Sequence, residues 1–182
     1  MQPAIALVET NSIAQGIRVG DAMMKKADVR LYEARSICPG KYMVLVGGEV
    51  GPVEESYREG VAVAADTLVD QLFLPNAHPD IFPALMSATL PGGGEALGII
   101  ETVTAAVCIV AADAAAKAAD IRLLEIRLAN GLGGKSFVLI EGDVSNVEAA
   151  MAAGVAQASK EGLLVRSVII PQLHAEMRGK IL

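Results

Sequence analysis

The chain is written twice. Residues 4–35, AIALVETNSIAQGIRVGDAMMKKADVRLYEAR, lie without a gap over residues 96–127, ALGIIETVTAAVCIVAADAAAKAADIRLLEIR, with 14 identities in 32 positions. The shared letters include Glu9 with Glu101, Thr10 with Thr102, Asp21 with Asp113, Lys25 with Lys117 and Asp28 with Asp120. The register slips by two residues across SICPGK and LANGLGGK, after which residues 40–64 match 134–158. A second slip of two brings LPNAH (74–78) onto IPQLH (170–174). A repeat of this length means that the fold of one half must also serve the other. Halves of about 90 residues fall in the range of small domains. We therefore expect domains at 1–90 and 91–182, with SATLPGGGEA (87–96) as the linker.

Within each half the order of elements is the same. A short apolar run (AIALV; ALGII) predicts a buried strand, and an Ala-rich amphipathic helix follows. In the first half Ile13, Ile17, Gly20, Met24 and Ala27 fall on one helical stripe, expected to face the core, and Ser12 with Gln15 can form a capping box. A strand, a Gly-rich loop and another strand come next. The second helix is entered through Pro52 in the first half, expected at the first helical position, and through a Ser145–Glu148 capping box in the second. A final strand closes each unit. The pattern β-α-β-β-α-β predicts an α+β fold of the split-βαβ, ferredoxin-like kind, one sheet with two helices on a face.

Composition narrows the function classes. Hydrophobic residues make up 53% of the chain and aromatic residues 3%, so the core must be built from small and branched aliphatic side chains. A net charge of −6 argues against a nucleic-acid partner, which needs clustered Lys and Arg. No run reaches the ~18 apolar residues of a membrane span, and MQPAIALVET does not read as a secretory leader. Two cysteines do not make a disulfide framework. The expectation is a cytosolic protein with neither a nucleic-acid nor a membrane partner.

More specific are ALGIIET, an Ala-rich helix ending DAAAKAADIRL, a GGK loop, EGDVSNVEAAMAAG and VIIPQLHAEM. Together they resemble the bacterial microcompartment shell domain through nearly all of the second half, and the first half resembles a more divergent copy. The SICPGK loop sharpens the likeness to the iron–sulfur-binding, T-type tandem-domain shell proteins of propanediol-utilisation microcompartments. The resemblance implies two tandem microcompartment domains, a homotrimer forming a pseudohexagonal tile, and other shell proteins as partners. It also implies a central pore holding a [4Fe–4S] cluster for electron transfer across the shell, ligated by Cys38 from each of three chains. A redox protein or enzyme on either side would be a further partner. By the same resemblance Lys25 and Lys117 are tile-edge contacts. Gln172 and Asn76 stand where the family often has an edge arginine.

Independent chemistry sets limits on that implication. A [4Fe–4S] cluster generally takes four ligands, usually thiolates, so a chain with one candidate cysteine cannot hold it alone. Three copies around an axis could hold three irons. Pro39 and Gly40 favour a tight, backbone-exposed turn, and Lys41 is either a counter-charge to the cluster or a solvated lysine. Read from the residues alone, Cys38 is a small apolar loop residue, a common role for a free cysteine, and only the resemblance turns it into a ligand. The alternatives are a shell trimer whose open pore passes small metabolites, and a ferredoxin-like regulatory protein binding a ligand between subunits.

Other features have bland readings. ANGLGGKS (129–136) satisfies a loose phosphate-loop pattern, but it runs into a predicted strand rather than a helix. It is better read as a pore-facing turn in which Gly131, Gly133 and Gly134 present backbone amides. Cys108 falls inside an Ala-rich helix in register with Gly16 and is expected in the core. His78 and His174 occupy matching positions, which suggests a structural or interface role, and Glu9 and Glu101 end matching strands, where they could cap backbone amides. No nucleophile–base pair or single-chain metal cluster is evident, so an enzyme is not expected.

Overall fold

The computed structural model describes residues 4–160 and 162–181. The first half runs β1 (Ala4–Thr10), α1 (Ile13–Lys26), β2 (Arg30–Ile37), β3 (Lys41–Gly48), α2 (Val50–Ala64) and β4 (Leu68–Leu74). A short helix, α3 (Ile81–Leu85), follows. The second half repeats the series as β5 (Ala96–Thr102), α4 (Ala105–Ala118), β6 (Arg122–Leu128), β7 (Ser136–Gly142), α5 (Val144–Ser159) and β8 (Leu164–Ile170), and then adds α6 (Ala175–Ile181). The chain divides into two compact units. One comprises residues 1–77 with 129–134, and the other residues 78–128 with 135–182.

Both units carry the expected α+β architecture. Each sheet is antiparallel, in the orders β2-β3-β1-β4 and β6-β7-β5-β8. Duplication extends to the irregularities. The ladder shifts between Glu9 and Thr10 and again between Glu101 and Thr102, and between Leu31 and Glu33 and again between Leu123 and Glu125. These bulges bend the strands at the same places, so the two sheets share their curvature as well as their order.

Strand β1 is buried over its whole length, as a central strand covered on both faces must be. On its helix side, Ala4, Ala6 and Val8 cluster with Val19 and Met23 of α1, Val44 and Val46 of β3, and Val53 of α2. The helices sit close because glycine leaves room. A Cβ on Gly60 of α2 would fall 2.6 Å from Met23 Sδ, and one on its counterpart Gly154 of α5 would fall 2.6 Å from Ile100 Cδ1 and 2.9 Å from the Ala111 carbonyl oxygen.

Local details depart from expectation in three places. The buried face of α1 is Gly16, Val19, Gly20 and Met23, whereas Ile13, Ile17 and Met24 are exposed by 44%, 55% and 38%. A 3.6-residue period admits two adjacent stripes, and the one with more glycine allows the closer approach to the sheet. Pro52 is the third residue of α2, behind the cap residue Glu49; this is tolerated because first-turn N–H groups have no intrahelical acceptor. Helix α5 begins at Val144 after Asp143, with no side-chain cap, so Ser145 lies inside it. The Ser12 cap is half realised. Its hydroxyl accepts the Gln15 N–H, while the Gln15 side chain reaches away to the Val63 carbonyl.

One exchange between the halves shows how the same backbone takes different side chains. Gly16 of α1 faces Tyr42 of β3, and a Cβ on Gly16 would lie 2.4 Å from Tyr42 Cβ and 2.7 Å from Thr10 Oγ1. The matching positions in the second half hold Cys108 and Ser136, both buried. Volume lost on the helix is thus regained on the strand. Gly16→Cys alone should destabilise the protein by about 1–3 kcal/mol through overpacking. Gly16→Cys with Tyr42→Ser should recover most of that loss, as read from chemical-denaturation midpoints in a double-mutant cycle.

Candidate functional site

The Cys38 turn is the tip of a hairpin. Ile37 pairs with Lys41 across β2 and β3, leaving Cys38, Pro39 and Gly40 as a three-residue loop. Loops of this length commonly place a residue in the left-handed region next to the returning strand, and Gly40, at φ +75°, fills that position. Cys38 is partly exposed; Pro39 and Gly40 are exposed. The corresponding connection in the second half is two residues longer, since Leu128 pairs with Ser136 as Ser36 pairs with Tyr42. It carries Gly131, Gly133 and Gly134 at φ +71°, +63° and +93°. Its entry into strand β7 removes the phosphate-loop reading.

Residues 129–134 belong to the same compact unit as the Cys38 turn, and the two loops touch. The Cys38 N–H donates to the Ala129 carbonyl at 3.4 Å. A Cβ on Gly134 would fall 2.9 Å from the Cys38 carbonyl oxygen and 3.1 Å from Pro39 Cδ, so only glycine permits this approach. Gly40, Gly131 and Gly133 have open space where a Cβ would stand, and their glycine requirement is purely conformational. The expected loop residues are therefore brought together, with one thiol among them.

Electrostatics at the base of the turn resolve the reading of Lys41. Its ammonium lies 3.4 Å from Glu9 Oε2, and the Glu9 side chain is fully buried. Lys41 is thus largely committed to a carboxylate beneath it. The same pair recurs in a more exposed form between Lys135 and Glu101. The lysine that leads into the third strand of each half is accordingly the partner of the glutamate near the end of the first.

The second cysteine has a different fate. Cys108 is fully buried in α4, where burial pushes its thiol up to about 12 while a hydrogen bond with Thr102 pulls the other way. It stays a neutral thiol at physiological pH, packed inside the core of its unit. Among the described residues no three His, Cys, Asp or Glu side chains gather as a metal site within one chain would require. Lys25 and Lys117 each pair with the aspartate one turn earlier, Asp21 at 2.7 Å and Asp113 at 2.6 Å. The backbone N–H of His78 donates to Asp113 Oδ1 at 2.8 Å, which gives that histidine position a structural task.

Known proteins match this arrangement along its whole length. The BMC domain family matches residues 4–77 and again 96–173. The chain belongs to the BMC-domain family. It is a microcompartment shell protein with two such domains, and its place is the bacterial microcompartment. It is 42% identical over 177 residues to the bacterial microcompartment shell protein PduT of Citrobacter freundii, covering 97% of this chain and 96% of that one. A microcompartment protein of Desulfitobacterium hafniense has the same structure with a TM-score of 0.92 at 49% identity, covering 98% of this chain and 99% of the other. The carboxysome assembly protein CcmO of a Synechocystis strain is 29% identical over an alignment that covers 96% of this chain and 63% of that protein. Among the described residues of the shell protein no helix is long and apolar enough to cross a membrane.

Two outcomes follow for the shell protein's turn. Brief treatment of the folded, iron-free protein with iodoacetamide should add one adduct, at Cys38, and a second only after denaturation, as read by mass spectrometry of the intact chain. Lys41→Met should destabilise the fold by about 3 kcal/mol by removing the Lys41 charge from beside the buried Glu9 carboxylate. Adding Glu9→Gln to that variant should restore much of the loss in urea titrations.

Proposed function

We propose that three chains assemble around a threefold axis into one shell tile, and that the three Cys38 thiolates hold a single [4Fe–4S] cluster in its central pore. The observation that carries this reading is the contrast between the two thiols. One is locked away as a neutral core residue. The other sits partly exposed at the tip of a three-residue turn, beside a second loop whose Gly131 and Gly133 are exposed. One usable thiolate per chain suits a cluster shared by symmetry, since a cluster needs several ligands and one chain offers one. Kinship with PduT over nearly the full chain supports a shell role for the assembly.

In this reading the cluster supplies one-electron transfer when bound, and the chain's own residues hold and surround it. Cys38 provides the ligand. The peptide N–H groups of Gly40, Gly131, Gly133 and Gly134 line the same loops and favour the negative charge of a thiolate-bound cluster. The Lys41 charge is already matched by Glu9, so the backbone supplies this stabilisation. Lys25 and Lys117 lie on the rim that meets neighbouring tiles made of other shell proteins. The tile forms wall and conductor together and is not an enzyme. Electrons would pass to a redox protein or enzyme on either side.

Protein purified without oxygen should carry about four irons and four sulfides per three chains, with broad absorption near ~400 nm. Cys38→Ser should lose that iron and remain trimeric. A wild-type trimer free of iron and sulfide after anaerobic purification would overturn the cluster and favour an open pore that passes metabolites.

A further inference from the structure

The second helix of each half meets its edge strand along a seam that one half fills and the other leaves open. In the first half Tyr57 of α2 lies across Phe73 of β4, with ring centroids 5.6 Å apart and planes 18° from parallel. Its hydroxyl donates to Gln71 Oε1 at 2.9 Å. Beside it, Arg58 reaches back one turn to the Glu54 carboxylate at 2.5 Å. An aromatic ring and a guanidinium together close the seam.

The second half has the same seam without either group. Met151, Ala152, Ser167 and Ile169 occupy the positions of Tyr57, Arg58, Gln71 and Phe73. Met151 turns inward: it is only 3% exposed, and a Cβ on Gly98 of β5 would fall 2.7 Å from its Sδ. The first half has Ala6 at that place on the sheet, so the room that Gly98 opens inside the unit draws the methionine off the surface. What remains is a groove of about 440 Å³ between α5 and β8, lined by Met151, Val155 and Ile169, with the exposed Glu148, Ala152 and Ser167 among its walls. With alanine at 152, Glu148 has no ion pair among the described residues, although Glu54 at the matching position has one.

We infer that this groove is a docking site for a partner protein, which lays an aromatic side chain over Met151 and Ile169 and sets an adjacent arginine or lysine against Glu148. Shape and charge select that occupant. The space is the one that a tyrosine ring fills in the twin seam, and the unmatched carboxylate beside it is complementary to the cation that the twin also supplies. Ser167 carries a hydroxyl oxygen at the position from which Gln71 receives the Tyr57 hydroxyl. Tyrosine and arginine are also the side chains that most often carry the energy of a protein interface, because each buries much surface while keeping a polar group to pair. The site requires neither the cluster nor the threefold assembly proposed above.

A suitable probe is acetyl-tyrosyl-arginine amide, titrated into the full-length protein labelled at its methionine, valine and isoleucine methyl groups. The methyl resonances of Met151, Val155 and Ile169 should shift and saturate, while that of Val61 in the filled seam should stay still. Acetyl-tyrosyl-glutamate amide should bind about tenfold more weakly, because it exchanges an attraction to Glu148 for a repulsion. Glu148→Gln should weaken the basic probe about threefold, the worth of one exposed ion pair. Ala152→Arg, at an exposed position, supplies the cation from within the chain and should weaken the probe at least as much. Unmoved groove methyls, or equal affinity for the two peptides, would overturn the site. If p-cresol alone binds as tightly as the basic peptide, the groove takes a free aromatic compound and the protein partner is wrong. If the same methyls shift with protein concentration and no probe, a second copy fills the groove and the foreign partner is likewise wrong.

Discussion

Close approach of helix to sheet is the constraint on which the rest of this protein depends. With almost no aromatic residues, each unit must exclude water using small side chains, and small side chains fill a core only when backbones come near one another. Gly60 against Met23 and Gly154 against Ile100 and the Ala111 carbonyl mark where that nearness is greatest. Dense packing of this kind leaves little tolerance for displacement. Loops and helix faces that point away from the core can therefore diverge while the sheets stay superimposable down to their bulges.

Divergence is concentrated in the loops and on the helix faces. The hairpin between β2 and β3 is short and carries a thiol, whereas its counterpart is longer, richer in glycine, and folds against the first. Helix α4 is buried almost throughout, and α1 keeps an apolar face toward solvent. A protein built from two identical halves would have to give both loops and both helices the same chemistry. Fusion frees one copy to specialise, and in this chain specialisation has placed the exposed thiol in one loop only.

Much of this was legible in the sequence, for physical reasons. Strand order, both sheets and the core position of Cys108 follow from the repeat and from hydrophobic periodicity, which report directly on burial. The buried stripe on α1 differs from the one the sequence points to because Ile13, Ile17 and Met24 are as hydrophobic as core residues, and periodicity alone does not distinguish a face covered by the chain's own sheet from one that is left bare. The starts of α2 and α5 each lie two positions from where the sequence places them, since Pro52 and Ser145 fit several first-turn positions about equally well. The Lys41–Glu9 pair was not legible, because it joins residues 32 positions apart whose side chains give no local sign of each other.

The exchange of Gly16 and Tyr42 for Cys108 and Ser136 also says something about how the copies drifted apart. If the ancestral unit held the cysteine and serine, a tyrosine arriving first would have met an occupied site and overpacked the core. The route open to the chain ran through glycine opposite serine, a small void that weakens a core without jamming it. If the ancestor held glycine and tyrosine, the same void was crossed in the opposite direction. Either way, history passed through a hole rather than a collision, and the two halves remain separated by that valley. Recombination between them at a point dividing the helix from the strand would therefore yield one loose chimera and one overpacked one.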